Sequence, residues 1–227
     1  MKRVITVLLA ALLVLSLVAC GSGVETKKLA GTWTCTVDVT DRMNAAAEQA
    51  LGLSAADGAA KMPLQLVLTV TEDGAYTLRY DSDAARTALD AYAAALHPAA
   101  VESVYAAAEE QGLSREEYDA AMEKAGITMD DMVAAIFAGV DEEELLSLLT
   151  GRSAAITGYC RAEGGQLYLA DTAADLTETA DCLSYTLSDG TMTWTDAQGE
   201  LSSQLTEQEQ ELLRVPLTWT KQAEESK

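Results

Sequence analysis

The side chains that could carry acid–base, nucleophilic or metal chemistry do not form a catalytic set in this sequence. There is one histidine, His97, and it stands beside Pro98 in an alanine-rich stretch. A nucleophile needs a base positioned to activate it, and no such combination can be assembled here. No Cys-x-x-Cys pair occurs, so neither a zinc nor a redox site is expected. The sequence therefore predicts a protein that is not an enzyme and holds no metal or cofactor.

Paired carboxylates are plentiful, as in Glu109-Glu110, Glu116-Glu117 and Asp130-Asp131. They fall at the starts or on the exposed faces of predicted helices, where negative charge near the N-terminus is stabilising. None has the calcium-loop spacing with its glycine. The acidic segment 171–181 could hold a cation weakly, but a solvated surface is the favoured interpretation.

Tryptophan, tyrosine and leucine side chains give a more informative pattern, because they recur at alternating positions. An apolar cup with a few polar tips is typical of small-molecule pockets. The alternative is that these side chains simply fill a small barrel. The predicted ligand-binding residues are Trp33, Leu68, Tyr76, Tyr80, Tyr185, Trp194 and Trp219.

These residues lie on segments with a period of two, which predicts strands with one buried and one solvent-facing side. In the first segment, 29–40, Trp33 and Cys35 alternate with threonines. Turn signals at 72–74, 163–165 and 189–190 mark three hairpins, and 215–219 is a closing strand. Eight such strands can hide their edges by closing into a barrel.

Between residues 82 and 151 the apolar spacing becomes helical. Gly112-Leu113-Ser114, Gly126-Ile127-Thr128 and Gly139-Val140-Asp141 each place a terminating glycine, an aliphatic residue and an N-cap, with an acid three residues after the cap. These patterns predict short helices joined by tight turns. The fold class predicted is α+β, an antiparallel eight-strand meander barrel with an α-helical insertion between the third and fourth strands.

Two details of the helical insertion can be predicted more finely. Pro98 is expected to begin a new helix, because proline suits the first turn. The stripe Met129, Met132, Val133, Ile136 and Phe137 is amphipathic. We expect it to be a core face packed on the barrel, with a groove for a partner as the alternative.

The N-terminus predicts an exported, anchored protein. Lys2 and Arg3 precede an apolar run, 4–18, that is too short for a comfortable membrane span. The sequence Leu17-Val18-Ala19-Cys20, followed by glycine, resembles the lipobox of bacterial lipoproteins. The resemblance implies that Cys20 is acylated and becomes the first mature residue, which would hold the chain on the extracytoplasmic face of the cell membrane. The alternative is an ordinary signal peptide cleaved near Ala19.

Three cysteines follow the predicted anchor, which allows one disulfide and one free thiol, or no disulfide. Cys160 and Cys182 lie on strands close in sequence and are the preferred pair. Cys35 is expected to be a small buried apolar residue.

The net charge excludes nucleic acid as a partner. It is −21 for the whole chain, and loss of Lys2 and Arg3 with the leader would make it −23. Such a surface repels nucleic acid and anionic headgroups. The predicted organisation is a signal peptide at 1–19, a tether at 20–28, the barrel at 29–81 and 152–222, and the helical insertion at 82–151.

Gly31-Thr32-Trp33, placed after Lys27-Lys28-Leu29-Ala30, resembles the Gly-x-Trp motif of lipocalins. Segments 73–76 and 158–169 resemble bacterial lipocalin-like lipoproteins. The resemblance covers the two β segments and implies a small apolar ligand inside the barrel. It also implies a cationic residue near the C-terminal end, for which Arg214 and Lys221 are the candidates. The family's Thr-Asp-Tyr motif is absent, and the helical insertion lies outside its usual pattern.

Two functions therefore stay open. The first is an extracytoplasmic protein that binds a small apolar or amphipathic ligand in its barrel. The second is a non-catalytic cell-envelope module that contacts a protein partner, or serves a structural role, through the helical insertion. An interior lined by the aromatic set favours the first, and a filled barrel beside an exposed apolar helix face favours the second. We favour the first.

Overall fold

The computed structural model of the protein describes residues 24–53, 60–137, 155–178, 180–198 and 213–223. The strands are β1 (Gly31–Asp38), β2 (Pro63–Val70), β3 (Ala75–Tyr80), β4 (Ile156–Glu163), β5 (Gln166–Ala170), β6 (Asp181–Ser188), β7 (Thr191–Gln198) and β8 (Leu217–Lys221). The helices are α1 (24–29), α2 (Thr40–Leu51), α3 (Ser82–Glu110), α4 (Arg115–Ala125) and α5 (Met129–Phe137), and a 3₁₀ turn covers Ala173–Asp175.

The eight strands form a closed antiparallel barrel in chain order, β1 through β8. β8 pairs with β1, where Trp33 lies opposite Lys221, and this pairing completes the ring. α3, α4 and α5 come between β3 and β4 in the chain. The predicted fold class, an α+β meander barrel with a helical insertion after the third strand, is confirmed.

The alternation of residue types explains why these segments form strands with two different faces. In β8, Leu217 and Trp219 are buried, while Thr218 and Thr220 are exposed. β2 departs from strict alternation, since Val67 is buried together with its neighbours Leu66 and Leu68. A closed barrel with threonines exposed on its outside must place the other set of side chains inside.

One irregularity interrupts the pairing of β6 with β7. Tyr185 pairs with Trp194, whereas Ser184 pairs with Asp196, so Thr195 is the extra residue of a β-bulge. The Thr195 hydroxyl donates a hydrogen bond to the Ser184 carbonyl at 3.3 Å. The alternation alone does not predict this bulge.

The chain divides into two compact units. The first takes in the described parts of Met1–Cys35, Leu66–Tyr80 and Ala154–Lys227, and thus most of the strand residues. The second takes in the described parts of Thr36–Gln65 and Asp81–Ser153, with α2 to α5.

α3 is one continuous helix of 29 residues, and Pro98 lies inside it. The prediction of a new helix at Pro98 is therefore wrong. A proline within a helix costs about 3 kcal/mol, because it removes a hydrogen bond and crowds the preceding turn. Here the buried face continues unbroken on both sides of the proline, so that packing outweighs the local cost. The residues of that face include Leu89, Tyr92, Leu96, Ala100 and Val104.

The predicted caps of the shorter helices are confirmed in two of three cases. Ser114 and Glu117 form a reciprocal capping box at the start of α4. Thr128 and Asp131 do the same before α5, with the Asp131 N–H 3.1 Å from the Thr128 hydroxyl. The glycine that ends α4, Gly126, has a φ of 70°, as a left-handed cap requires. The third motif, at 139–141, lies outside the described residues. The sequence also predicts a short acidic helix over 205–214, and residues 205–212 of that helix lie outside the described residues as well.

The amphipathic stripe of α5 is a core face, as predicted. Val133 forms a buried cluster with Leu53 and Ala100, and Ile136 and Phe137 pack against it. Val133 packs on α3 and on the segment that follows α2, whereas the sequence predicts packing on the barrel. Within the described ranges, no helix is both long enough and apolar enough to cross a membrane.

Candidate functional site

The inner face of the barrel is the candidate site. Four of the seven predicted ligand-binding residues, Trp33, Leu68, Trp194 and Trp219, are buried on that face. The three tyrosines are only half-buried. The alternation of the strands could not show this difference, because it gives the face of a residue and not its depth. Other buried residues of the face are Leu66, Leu78, Cys160, Ala162, Leu167, Leu183, Met192 and Leu217.

α1 closes one end of the barrel. Thr26 in this helix is buried, and its hydroxyl accepts a hydrogen bond from the Ala162 N–H at 3.0 Å. The Glu25 carboxylate accepts another from the Gly164 N–H, at 2.8 Å, in the turn between β4 and β5. Residues 24–28 of the predicted tether thus belong to a helix that docks on the barrel.

Trp33 is fixed at this closed end. Its indole N–H donates to the carbonyl oxygen of Leu29, the last residue of α1, at 2.7 Å in a buried environment. Leu29 and Trp33 are each 1% exposed. The indole N–H of Trp33 therefore already has an acceptor within the protein. Trp33 is thus a structural element of the α1-covered end of the barrel, which we call the barrel floor.

Lys221, one of the two candidates for the cationic residue that the lipocalin resemblance implies, lies over Trp33. Its Nζ lies 5.4 Å from the centroid of the Trp33 ring, at the distance of a cation–π contact. The lysine stem passes over Gly31, because a Cβ at Gly31 would lie 2.7 Å from Lys221 Cε. Gly31 also has a φ of 126°. The glycine of Gly31-Thr32-Trp33 is thus needed for this crossing.

Trp194 and Trp219 form a second aromatic pair on the inner face. Their ring centroids are 4.8 Å apart and the rings are tilted by 50°. Trp194 lies opposite Leu217, and Trp219 lies opposite Met192, so the two tryptophans are diagonal neighbours on β7 and β8. Neither indole nitrogen has a hydrogen-bond partner among the described residues. This pair differs in that respect from Trp33.

Tyr76, Tyr80 and Tyr185 lie at inner-face positions of β3 and β6. Tyr76 lies opposite Gly158, where a Cβ would come within 3.0 Å of the Tyr76 ring and 2.6 Å of the Ala170 carbonyl oxygen. Burial raises the pKa of the Tyr185 phenol, and the nearby Glu25 and Cys160 raise it further. The Tyr185 hydroxyl therefore stays protonated at neutral pH.

Cys160 and Cys182 do not form the expected disulfide, since Cys35, Cys160 and Cys182 are all free. Cys160 lies opposite Leu169 and Cys182 lies opposite Tyr168, one residue earlier on β5. Adjacent residues of a strand point to opposite faces, so the two thiols lie on different sides of the sheet. Closeness in sequence could not reveal this parity. Cys35 is buried, as predicted.

Thiol alkylation will test this arrangement. Burial raises the pKa of the Cys160 thiol to about 12, from an ordinary value of 9.0, and it also raises the pKa of Cys35. At pH 8.5 both therefore remain un-ionised and shielded, and we expect iodoacetamide to label only Cys182 in the folded mature chain carrying Cys20→Ser. Labelling of all three in urea is the control. Rapid labelling of Cys160 without denaturant would contradict the assigned face.

His97 and the acidic segment 171–181 have local structural contacts. His97 Nε2 lies 3.1 Å from Asp130 Oδ1, which links α3 to α5. The Thr172 hydroxyl donates to Asp175 at 2.6 Å in the acidic segment 171–181. In the part of the chain that the structure describes, no three histidine, cysteine or acidic side chains are grouped as metal ligands would be.

Comparison of the chain with protein-family models, with curated proteins and with solved structures finds no match in any of the three. The closed eight-strand antiparallel barrel is consistent with a lipocalin-like fold.

Proposed function

We propose that the protein is a membrane-anchored, extracytoplasmic, lipocalin-like lipoprotein whose barrel binds a small apolar or amphipathic ligand. The observation that carries the proposal is the barrel's inner face, on which Trp33, Trp194 and Trp219 are buried. An eight-strand barrel has room inside for side chains or for one small ligand. Aromatic and aliphatic walls with a few polar groups are typical of such ligand sites.

Two features at the closed end support the lipocalin-like part of this proposal. α1 covers the barrel end and receives the Trp33 indole hydrogen bond. Lys221 covers the ring of the same tryptophan. The Gly-x-Trp resemblance thus corresponds to a packed arrangement of three elements, α1, β1 and β8.

The lipobox at Cys20 supports the anchor. From Cys20 to the start of α1 at residue 24 the chain can span at most about 14 Å. An acylated Cys20 would therefore keep the α1-closed end of the barrel near the bilayer surface. The ligand would then reach the barrel from the side away from the anchor.

The anchor is tested by expressing the full chain and its Cys20→Ser variant in a bacterial host. We expect the unaltered protein to fractionate with membranes, and its N-terminal peptide to begin at a diacylglyceryl-modified Cys20. The serine variant should lose the modification, while Cys182→Ser, the matched control, should keep it. An unmodified N-terminus in the unaltered protein would contradict the proposal.

Ligand binding is tested by titrating N-phenyl-1-naphthylamine, an apolar fluorescent probe, into the mature chain carrying Cys20→Ser. We expect saturable one-to-one binding, with energy transfer from the tryptophans to the probe. Leu68→Trp should abolish binding by filling the interior, whereas Thr69→Trp, on the exposed face of the same strand, should preserve it. Circular dichroism would check that both variants fold.

If the mature chain carrying only Cys20→Ser did not bind the probe, the other function, a protein-interaction or structural module, would be favoured. The apolar stripe of α5 does not by itself support that alternative, because Val133, Ile136 and Phe137 are used in the core of their own unit.

A further inference from the structure

The indole N–H groups of Trp194 and Trp219 are buried donors that the described part of the protein leaves without an acceptor. Trp194 is 5% exposed and Trp219 is fully buried. Buried polar groups in native proteins are nearly always hydrogen-bonded, because an unpaired one keeps its desolvation cost without compensation. The two tilted, touching indoles therefore present two buried donors that need an acceptor from outside the described residues.

The chemistry of the indole restricts what that partner can be. An indole N–H donates and cannot accept, so the partner must carry a hydrogen-bond acceptor. The residues opposite the two tryptophans are mostly apolar: Leu217 faces Trp194, Met192 faces Trp219, and Tyr185 faces Trp194 from β6. The partner must therefore be an acceptor atom on an otherwise apolar molecule.

The charge of the interior restricts the partner further. Among the described residues, Thr26 is the only polar residue outside the aromatic set that is classed as buried, and its hydroxyl already accepts from Ala162. In the same part of the chain, no lysine or arginine is fully buried on the inner face: Lys221 is exposed and lies over Trp33, and Arg161 lies over Tyr168 on the opposite face of β4. Burying an unpaired charge is far more costly than burying a neutral acceptor. A neutral carbonyl is thus favoured over a carboxylate.

We propose that Trp194 and Trp219 form the polar end of the ligand site, and that the ligand is a small, neutral, largely apolar molecule with a ketone, ester or amide oxygen. This inference rests on the proposed function, ligand binding in the barrel. The bulge at Thr195 fixes the position of Trp194, since it resets the pairing so that Trp194 lies beside Tyr185. The two rings, in contact at 4.8 Å, hold each other in place.

The test uses two naphthalenes that differ in the acceptor, 2-acetylnaphthalene and 2-ethylnaphthalene, with the mature chain carrying Cys20→Ser. We expect the ketone to bind about fivefold or more tightly than the hydrocarbon. Trp194→Phe and Trp219→Phe keep an aromatic ring and remove the donor. Each should reduce the preference for the ketone and leave the affinity for the hydrocarbon nearly unchanged. Thr218→Ala, on the exposed face of β8, is the control.

Nuclear magnetic resonance of ¹⁵N-labelled indoles gives a readout that packing alone would not move. The Trp194 and Trp219 indole resonances should shift on addition of the ketone and move little with the hydrocarbon. The Trp33 resonance serves as the internal reference, because its N–H is held by Leu29. Because these resonances are measured in the protein with both tryptophans present, they test the inference even if a phenylalanine variant fails to fold.

The outcomes separate the two proposals. Equal affinities for both compounds, with unmoved Trp194 and Trp219 resonances, would overturn the inference and leave ligand binding standing. A ketone preference that survives both phenylalanine substitutions would overturn it in the same way. If neither compound binds, the result would count against the barrel as a ligand site, and the inference would fail with it.

Discussion

Replacing Trp33 with alanine is expected to lower the free energy of unfolding by about 3–5 kcal/mol, as large-to-small core substitutions of tryptophan do. The ring is 1% exposed, so its loss leaves a cavity at the barrel floor. The substitution also leaves the buried Leu29 carbonyl without its donor and Lys221 without the ring beneath it. Urea denaturation followed by circular dichroism measures the change.

Tyr105→Ala is the matched control for this substitution. Tyr105 also lies under a cation, with Arg115 Cζ 4.6 Å from its ring centroid, but it is on a half-exposed helix surface. Its loss should cost far less than that of Trp33, since exposed cation–π pairs are weak. If Trp33→Ala cost no more than Tyr105→Ala, the role assigned to Trp33 would be wrong.

Gly74→Ala is expected to be the most disruptive glycine substitution at the closed end, with a cost of about 3 kcal/mol or more. Gly74 has a backbone φ of 86°, which residues with a side chain rarely adopt. A Cβ there would also overlap the backbone carbonyl oxygen of Cys160, which cannot move aside as a side chain can. The Cys160 N–H donates to the Gly74 carbonyl at 2.7 Å, and the clash would break this link between β4 and the β2–β3 turn. Thermal unfolding measures the loss.

Gly164→Ala separates the steric part of this cost from the conformational part. Gly164 is also in a hairpin turn and has a φ of 59°, but a Cβ there would meet nothing within 4 Å. Its substitution should cost about 1 kcal/mol, the usual difference for a left-handed position. Equal losses for the two variants would show that the predicted clash with Cys160 is relieved at no cost.

The sequence could predict the barrel because each strand carries its own evidence, an apolar side alternating with a threonine side. Turns at fixed places then determine the meander order. It could not predict α1 as the barrel floor, because the contact of Thr26 with Ala162 joins residues 136 positions apart. Local rules also failed at Pro98, where packing of both flanking segments in one face outweighs the preference of proline for a helix start.

The candidate site was predictable in composition and not in chemistry. Alternation identified Trp33, Trp194 and Trp219, and the structure buries all three. Whether an indole N–H finds a partner depends on three-dimensional neighbours, such as the Leu29 carbonyl beside Trp33. The error over Cys160 and Cys182 has the same origin, because a shift of one residue in register changes the face on which a side chain lies.

The central claim is that the barrel carries a small ligand, and native mass spectrometry tests it most directly. The mature chain with Cys20→Ser would be purified gently from cells beside its Leu68→Trp and Thr69→Trp variants. We expect a reproducible noncovalent adduct on the unaltered interior and on Thr69→Trp, absent from Leu68→Trp and released by denaturant as a neutral compound. A bare mass for the unaltered interior, unchanged after incubation with lipid and metabolite extracts, would contradict the claim and favour an interaction module.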